Sequence, residues 1–262
     1  HVVVGARELT AKHVVIATGA SPRVLDIPGE AHVITSTEFM ELDALPRRIV
    51  FIGAGYISLE FAHLARHAGA EVTVLGRGRP LPWFDETLVE RLLEHTRTVG
   101  IDLRLDHAVN AVERSAAGHF LVHVEHGENV HVIETDLVVH GAGRVPNSAH
   151  IGAEAGNVAL EHHGSVRVNE FLQSVSNPRV YAAGDVVSPR GAIPLTPVAG
   201  HEGTVVATNL LNGNSARPDF RAIASVCLTI PSLGSVGPSE VAVRPARCNG
   251  GVATGGTLGG CA

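Results

Sequence analysis

The sequence predicts an α/β protein, and three observations carry that prediction. Short apolar runs with strand character alternate with segments whose apolar residues recur at helical spacing. One such run, residues 49–52, passes into the glycine turn Gly53-Ala54-Gly55-Tyr56-Ile57-Ser58 and then straight into a helical pattern. The hydrophobic fraction is 45% but aromatics are only 4%, which suits an aliphatic core between sheet and helices.

Taken in order, residues 2–4 and 8–10 flank Gly5-Ala6-Arg7 and read as a hairpin. Residues 13–17 form a short apolar strand that ends in Thr18-Gly19-Ala20, and Pro22 and Pro28 mark a loop. After the glycine turn the spacing predicts a helix with Ile57, Phe61, Leu64 and Ala65 on one face and Gly69 past its end. Residues 71–75 are the next strand, completing a β-turn-α-β unit. Asp85 suits the N-cap of a helix over 86–99, which Gly100 ends. Residues 101–105 form a strand, and 109–114, 119–126 and 129–134 alternate as an antiparallel meander. The strand 136–140 leads into Gly141-Ala142-Gly143-Arg144-Val145-Pro146-Asn147, and the strand 179–183 ends in Gly184-Asp185. A helix over 197–211 stops at Asn212-Gly213. From Val241 the chain is glycine-rich and has no aromatic residue, so an atypical, disordered tail is expected over 241–262.

Composition narrows the function. A formal net charge of −6 argues against a nucleic-acid-binding surface. No run approaches the roughly 18 consecutive apolar residues of a membrane helix. The first residues lack the basic-then-apolar pattern of a secretory leader, so a cytoplasmic protein without a membrane partner is expected. Cys227, Cys248 and Cys261 make no disulfide framework. The 16 histidines include no ligand set at zinc-site spacing, and His162-His163 and His123/His126 read as exposed turn and strand residues.

The glycine turn lies where dinucleotide chemistry needs it, between a strand and a helix. Gly53 permits the tight turn, and Gly55 lets backbone approach a pyrophosphate at the helix N-terminus. Ser58 is small enough for helix–strand packing. The other reading is a glycine turn in an unrelated α/β unit. The second strand is followed by Gly76-Arg77-Gly78-Arg79, without the acid that usually holds the ribose hydroxyls of NAD. Two arginines and two glycines suit a phosphate dianion, which favours NADP over NAD; a solvated basic loop is the alternative.

Four segments together resemble the FAD-dependent pyridine nucleotide-disulfide oxidoreductases, the family of glutathione reductase, mercuric reductase and dihydrolipoamide dehydrogenase. They are Val14 to Pro22, Ile52 to Ala62, Gly141 to Asn147, and Val180 to Asp185. The resemblance implies a Rossmann-like NAD(P)-binding domain at 45–142, inserted into a partial FAD-binding domain at 1–44 and 143–213. The start of a dimerisation domain follows at 214–240, and the full-length parent is expected to be a homodimer. It implies hydride passing from NAD(P)H to FAD and on to a disulfide or related small-molecule acceptor. Thr18, Gly19, Gly143, Arg144 and Gly184 fall in its cofactor motifs, beside Gly53, Gly55 and Ser58. Asp185 matches the acid that holds the flavin ribityl chain or its adjoining phosphate. Thr196, Pro197, Val198 and Ala199 match the start of the helix beneath the flavin. Glu60 matches the acid that pairs with a lysine near the flavin, and Tyr56 the ring that covers the nicotinamide pocket. Arg77 and Arg79 match the NADPH-phosphate arginines of the glutathione reductase branch. Without the resemblance Glu60 reads as a surface charge, Tyr56 as packing and Asp185 as a turn cap.

The departures matter equally. The family's first FAD motif, its redox-active Cys-x4-Cys and its catalytic histidine match nothing in this sequence, so an incomplete fragment is expected. Cys227 falls at a usually apolar position and reads as a small core residue. Two alternatives stay open: part of a disulfide-independent flavin reductase or NADH oxidase, and a non-catalytic nucleotide-binding module.

Overall fold

The computed structural model describes residues 1–187 and 193–237. The expected tail over 241–262, with Cys248 and Cys261, lies outside the described residues, as does the end of the expected 214–240 segment.

The chain opens with strands β1 (Val2–Val4), β2 (Arg7–Leu9), β3 (Val14–Ile16) and β4 (Ala20–Pro22). Helix α1 (Ser36–Met40), strand β5 (Arg48–Ile52), helix α2 (Tyr56–His67) and strand β6 (Glu71–Gly76) follow. Then come α3 (Glu86–Thr98), β7 (Asp102–Leu105), β8 (Ala108–Arg114), β9 (Phe120–His126), β10 (Asn129–Thr135), β11 (Leu137–His140) and β12 (Arg144–Pro146). The chain continues through β13 (Val180–Ala182), α4 (Thr196–Asn212), β14 (Ala224–Cys227) and β15 (Leu233–Val236).

These elements form two compact units. One comprises His1–Ser21 with Arg144–Ile223, the other Pro22–Gly143 with the described chain from Ala224. In the second unit four parallel strands stand in the order β11-β5-β6-β7, with Ile52 opposite both His140 and Leu75. Buried strands need apolar residues on both faces, which is why Ile49, Val50 and Phe51 form an unbroken run with at most 1% exposure. One sheet face is covered by α2 and α3 through Leu59, Ala62, Ala65, Val89 and Leu92; Val112, Val122 and Val124 of the meander join Val50 and Val138 in a second cluster.

Helix α2 is rotated from the expected orientation. Its buried residues are Ser58, Leu59, Ala62, His63 and Ala65, whereas Leu64, expected on the apolar face, is 51% exposed. The small side chains at 58, 62 and 65 let the helix backbone come close to the sheet, and that contact turns Leu64 outward.

The second unit also begins earlier than the expected 45–142 segment. Phe39 of α1 stacks on Phe61 at 4.9 Å and meets Phe51 edge-on at 5.5 Å, while Leu25, Ile27 and Val33 pack on the meander-side cluster. Helix α1, an element not expected from the sequence, starts at Thr35-x-x-Glu38, a capping box in which each side chain satisfies the other residue's backbone. At the far end, the antiparallel pair β14–β15 brings Cys227 and Leu233 into the main core. Cys227 is 0% exposed, and burial pushes its thiol up to about 12, with the Glu60 charge as a second cause.

His63 ties this pair to the helices. The Thr96 hydroxyl donates to Leu92 O (2.7 Å), so His63 Nε2–H must donate to Thr96 Oγ1 (3.0 Å). That leaves Nδ1 bare to accept the Ile230 N–H at 3.2 Å. Burial pushes the His63 pKa down to about 4.

Two predictions follow from this packing. Phe39→Ala should lower unfolding stability in urea by about 3–5 kcal/mol, whereas Met40→Ala, at an exposed site, should change it by less than ~0.5 kcal/mol. A near-neutral result at Phe39 would remove α1 from the core. For His63 the sign runs toward acid: the folded pKa lies below the ordinary 6.5, so stability is full above 6.5 and is lost as pH falls through about 4. Urea unfolding at a series of pH values should therefore show wild type losing stability in that window relative to His63→Gln.

Candidate nucleotide-binding sites

In the second unit the strand order reverses beside β5, since β6 and β7 extend to one side and β11 to the other. In open parallel sheets ligands bind at the carboxyl ends of the strands at such a switch point. Both adjoining strands end in glycine turns. Gly53 has φ +103°, and a Cβ there would stand 2.5 Å from Gly141 O. A Cβ on Gly141 would collide with Ser58 Oγ. The three residues therefore interlock, and Ser58 is wholly buried. Gly55 is the N-cap of the 12-residue α2 and supplies no capping side chain, so the first N–H groups of the helix are left for a ligand. A Cβ at Gly55 would touch only Gly141 O, at 3.9 Å, which leaves room for close approach of an anion.

The sequence reading assigned Gly143 and Arg144, from the segment after β11, to the FAD-side motifs and passed over His140 at the end of that strand. Its Nε2–H donates to Arg23 O at 2.8 Å, and its Nδ1 accepts from Ala142 N–H at 3.1 Å. Both nitrogens are spoken for only in the neutral ring, and burial lowers the pKa accordingly. His140 thus fixes the loop that carries Gly141. The only sequence signal for it was a histidine ending an otherwise apolar strand.

At the end of β6, Arg77 and Arg79 are exposed and enter no ion pair among the described residues. Gly76 is different. It is buried, and a Cβ there would lie 2.8 Å from Ala54 Cβ and 3.3 Å from Leu105 Cδ2. Its glycine is required by packing beneath the Gly53-Ala54-Gly55 turn, which excludes any side chain, acidic or not, at this position.

Tyr56 begins α2 and lies 5.7 Å from Phe84; burial raises its pKa, and its buried hydroxyl lies near Ser225 without meeting hydrogen-bond geometry. Glu60, one turn on, accepts the Leu228 N–H through Oε1 at 2.8 Å. The sequence contains a single lysine, Lys12, which belongs to the other compact unit.

The first unit assembles a second group of motif residues. Strands β3 and β13 pair in parallel, Val14 opposite Val180 and Ile16 opposite Ala182. Beyond β3, Thr18 Oγ1 donates to Asn147 O (2.7 Å), Asn147 Nδ2 donates to Thr18 O (3.0 Å), and Asn147 N–H donates to Gly19 O (2.9 Å). Arg144 donates to Ala20 O. Two segments more than 120 residues apart are thereby joined, as the 129-residue separation of Thr18 and Asn147 shows. Beyond β13, Gly184 has φ +78° and a missing Cβ that would sit 3.5 Å from Ala199 Cβ, so the start of α4 abuts the Gly184-Asp185 turn. Leu195 caps α4 without a side-chain bond, Thr196 and Pro197 are exposed, and Val198 is buried. Glu202, in the next turn of α4, accepts the Gly184 N–H at 2.7 Å. It also escaped the sequence reading, although Val198, Glu202, Val205 and Asn209 mark one stripe at 4-3-4 spacing with a charge inside it.

The described residues contain no cluster of three or more His, Cys, Asp or Glu placed to hold a metal ion, and no helix among them is long and apolar enough to cross a membrane.

Paired glycine turns at parallel strand ends, beside an uncapped helix N-terminus, are the arrangement that dinucleotide-binding α/β proteins use. The model of the pyridine nucleotide-disulphide oxidoreductase family matches residues 1–203, and the chain belongs to that family. It is 36% identical over 249 residues to the glutathione reductase of Burkholderia cepacia, covering 95% of this chain and 54% of that protein. It is 36% identical to the mercuric reductase of Staphylococcus aureus, covering 90% and 43% respectively. Among solved structures, the copper(II) complex of the HOCl-induced flavoprotein disulfide reductase RclA from Escherichia coli superposes with a TM-score of 0.80 at 26% identity, over 91% of this chain and 53% of that one. The chain spans about half the length of the curated relatives it matches. The family binds FAD and NAD(P)H.

The packing of Gly76 on Ala54 yields a test. Gly76→Ala alone should destabilise the chain by about 1–3 kcal/mol, the usual range for overpacking a buried site. Adding Ala54→Gly should recover most of that loss in a double-mutant cycle by urea unfolding; additive losses would mean the two sites are not in contact.

Proposed function

We propose that this chain is the nucleotide-handling part of a flavoprotein oxidoreductase that takes hydride from NADPH to FAD and passes the electrons to a disulfide or related acceptor. The observation that carries this reading is the pair of glycine turns at the ends of β5 and β11, with an uncapped helix N-terminus between them. Bound NADPH and FAD would supply the hydride chemistry; the residues of this chain bind and orient.

In this reading the first N–H groups of α2 face the nicotinamide dinucleotide pyrophosphate, and Gly53, Gly55 and Ser58 permit the approach. Arg77 and Arg79, which meet no carboxylate among the described residues, hold the 2′-phosphate of NADPH. Tyr56 serves the nicotinamide pocket, and Glu60 keeps a carboxylate available for a cation. On the FAD side, Asp185 accepts from ribityl hydroxyls, while Thr18, Gly19, Gly143, Arg144, Gly184 and residues 196–199 frame the flavin. The domains are then an NAD(P)-binding domain inserted into an FAD-binding domain, followed by the start of a dimerisation domain, and the parent protein is a homodimer. Cys227 serves as core: a wholly buried thiol whose pKa burial raises is a poor source of thiolate. The acceptor chemistry therefore falls to groups other than Cys227.

Calorimetric titration tests the reading. NADPH should bind more tightly than NADH, and Arg77→Glu should cost NADPH roughly 1.5–3 kcal/mol of affinity, the worth of a charge-assisted phosphate bond, while sparing NADH. Equal binding of the two nucleotides by wild type would overturn the phosphate assignment, and no binding of either would overturn the nucleotide site.

A further inference from the structure

The buried face of α4 consists of Val198, Glu202, Val205, Val206 and Asn209. Glu202 is its one charged side chain and is only 1% exposed. A carboxyl group so placed needs a compensating function, because burial in apolar surroundings penalises its charge. Its contact is specific: Oε2 accepts the backbone N–H of Gly184 at 2.7 Å. Gly184 holds φ +78°, a conformation that glycine alone adopts freely, and it is covered by Ala199 from the preceding turn of the same helix. The next residue is Asp185. One hydrogen bond from a buried acid therefore sets the turn that presents a second acid.

We propose that Glu202 is a positioning residue for the Gly184-Asp185 turn, and that whether it carries a proton sets how Asp185 meets the hydroxyl and phosphate groups of a bound flavin nucleotide. The flavin half of this statement rests on the function proposed above; the hold on the turn does not.

The electrostatics give the proposal a direction. Three influences act on the Glu202 charge: burial, which raises its pKa most; the Gly184 N–H, which lowers it; and the Asp185 carboxylate, which raises it. Among the described residues no cation joins them, and the pKa is pushed up to about 7. Neutral Glu202 still accepts from Gly184 N–H through its carbonyl oxygen. Ionised Glu202 places a second negative charge beside Asp185. A ligand phosphate arriving there would be a further negative charge, so flavin nucleotide binding favours the protonated form, and affinity falls as pH rises through about 7. For folding, the pKa is raised above the ordinary 4.5. The contribution is therefore full below 4.5, is lost as pH rises to about 7, and changes no further above that.

The test compares the full chain with Glu202→Gln, which keeps an oxygen acceptor of the same shape without the titration, and with Glu202→Ala, which removes the acceptor. In wild type the amide resonances of Gly184 and Asp185 should titrate with a midpoint near 7. In Glu202→Gln they should be flat, and in Glu202→Ala the Gly184 amide should also lose protection from exchange. Melting temperature should follow the same pattern, with wild type falling relative to Glu202→Gln between pH 4.5 and 7 only. FAD titration by flavin fluorescence should show wild type losing about tenfold in affinity from below to above the midpoint, which is one pKa unit of coupling, while Glu202→Gln stays constant. An amide titration that persists in Glu202→Gln, or a flat wild-type signal, overturns the hold on the turn. An intact amide titration with FAD affinity independent of pH overturns the flavin half alone. An intact titration with no FAD binding at any pH overturns that half together with the functional reading.

Discussion

The interlock of Gly53, Gly141 and Ser58 is the constraint on which the unit built on the four-stranded parallel sheet depends. Two strands that run side by side in parallel must send their chains off from the same edge of the sheet, and helix α2 starts in the same place. Only residues without side chains, or with very small ones, can share that space: a Cβ at Gly53 meets the carbonyl of Gly141, and a Cβ at Gly141 meets Ser58. The constraint spreads outward. Ala54 presses on Gly76, which removes the side chain at the end of β6, and the small residues 58, 62 and 65 seat α2 on the sheet and turn Leu64 away. An uncapped helix N-terminus at this edge accompanies the close packing, and the lack of a side chain at position 76 is a consequence of it.

Buried polar groups are shifted toward their uncharged forms and used as struts. His140 joins the backbone of Arg23 and Ala142, His63 joins Thr96 and Ile230, and Glu202 takes Gly184 N–H. In each case burial is the largest cause moving the pKa toward the uncharged form: down for the two histidines, up for the glutamate. A neutral ring or carboxyl group donates or accepts in a fixed direction and avoids the penalty of a buried charge. Loops that would otherwise carry unsatisfied backbone groups are thereby pinned, His140 and Glu202 at glycine turns and His63 at the Ile230 loop.

Membership of the pyridine nucleotide-disulphide oxidoreductase family follows from residues 1–203, and the geometry gives that likeness local content. The segments around Thr18, Asn147 and Gly184, distant in sequence, are knitted by backbone bonds into one unit, while the β5-α2-β6 segment belongs to the other. Each unit thus has a core of its own and a set of glycine turns of its own.

The sequence by itself determined the α/β class, the strands and helices around the glycine turn, the Asp85 cap, the meander and the family, because these rest on local periodicity, capping chemistry and short motifs that a linear pattern displays. The Thr35-x-x-Glu38 box and the stripe through Glu202 were legible in the same way, though their meaning was not: a capping box does not say that Phe39 reaches a distant sheet, and a charge in an apolar stripe does not name its partner. Only the tertiary structure decided which face of α2 is buried, where one unit ends and the next begins, that β14–β15 joins the core of the four-stranded sheet, and that Gly76 is a packing glycine. Those outcomes depend on contacts between residues far apart in sequence. Whether a Cβ at position 76 fits is settled by Ala54 and Leu105, and whether Leu64 points inward is settled by how closely Ser58, Ala62 and Ala65 let one backbone approach another.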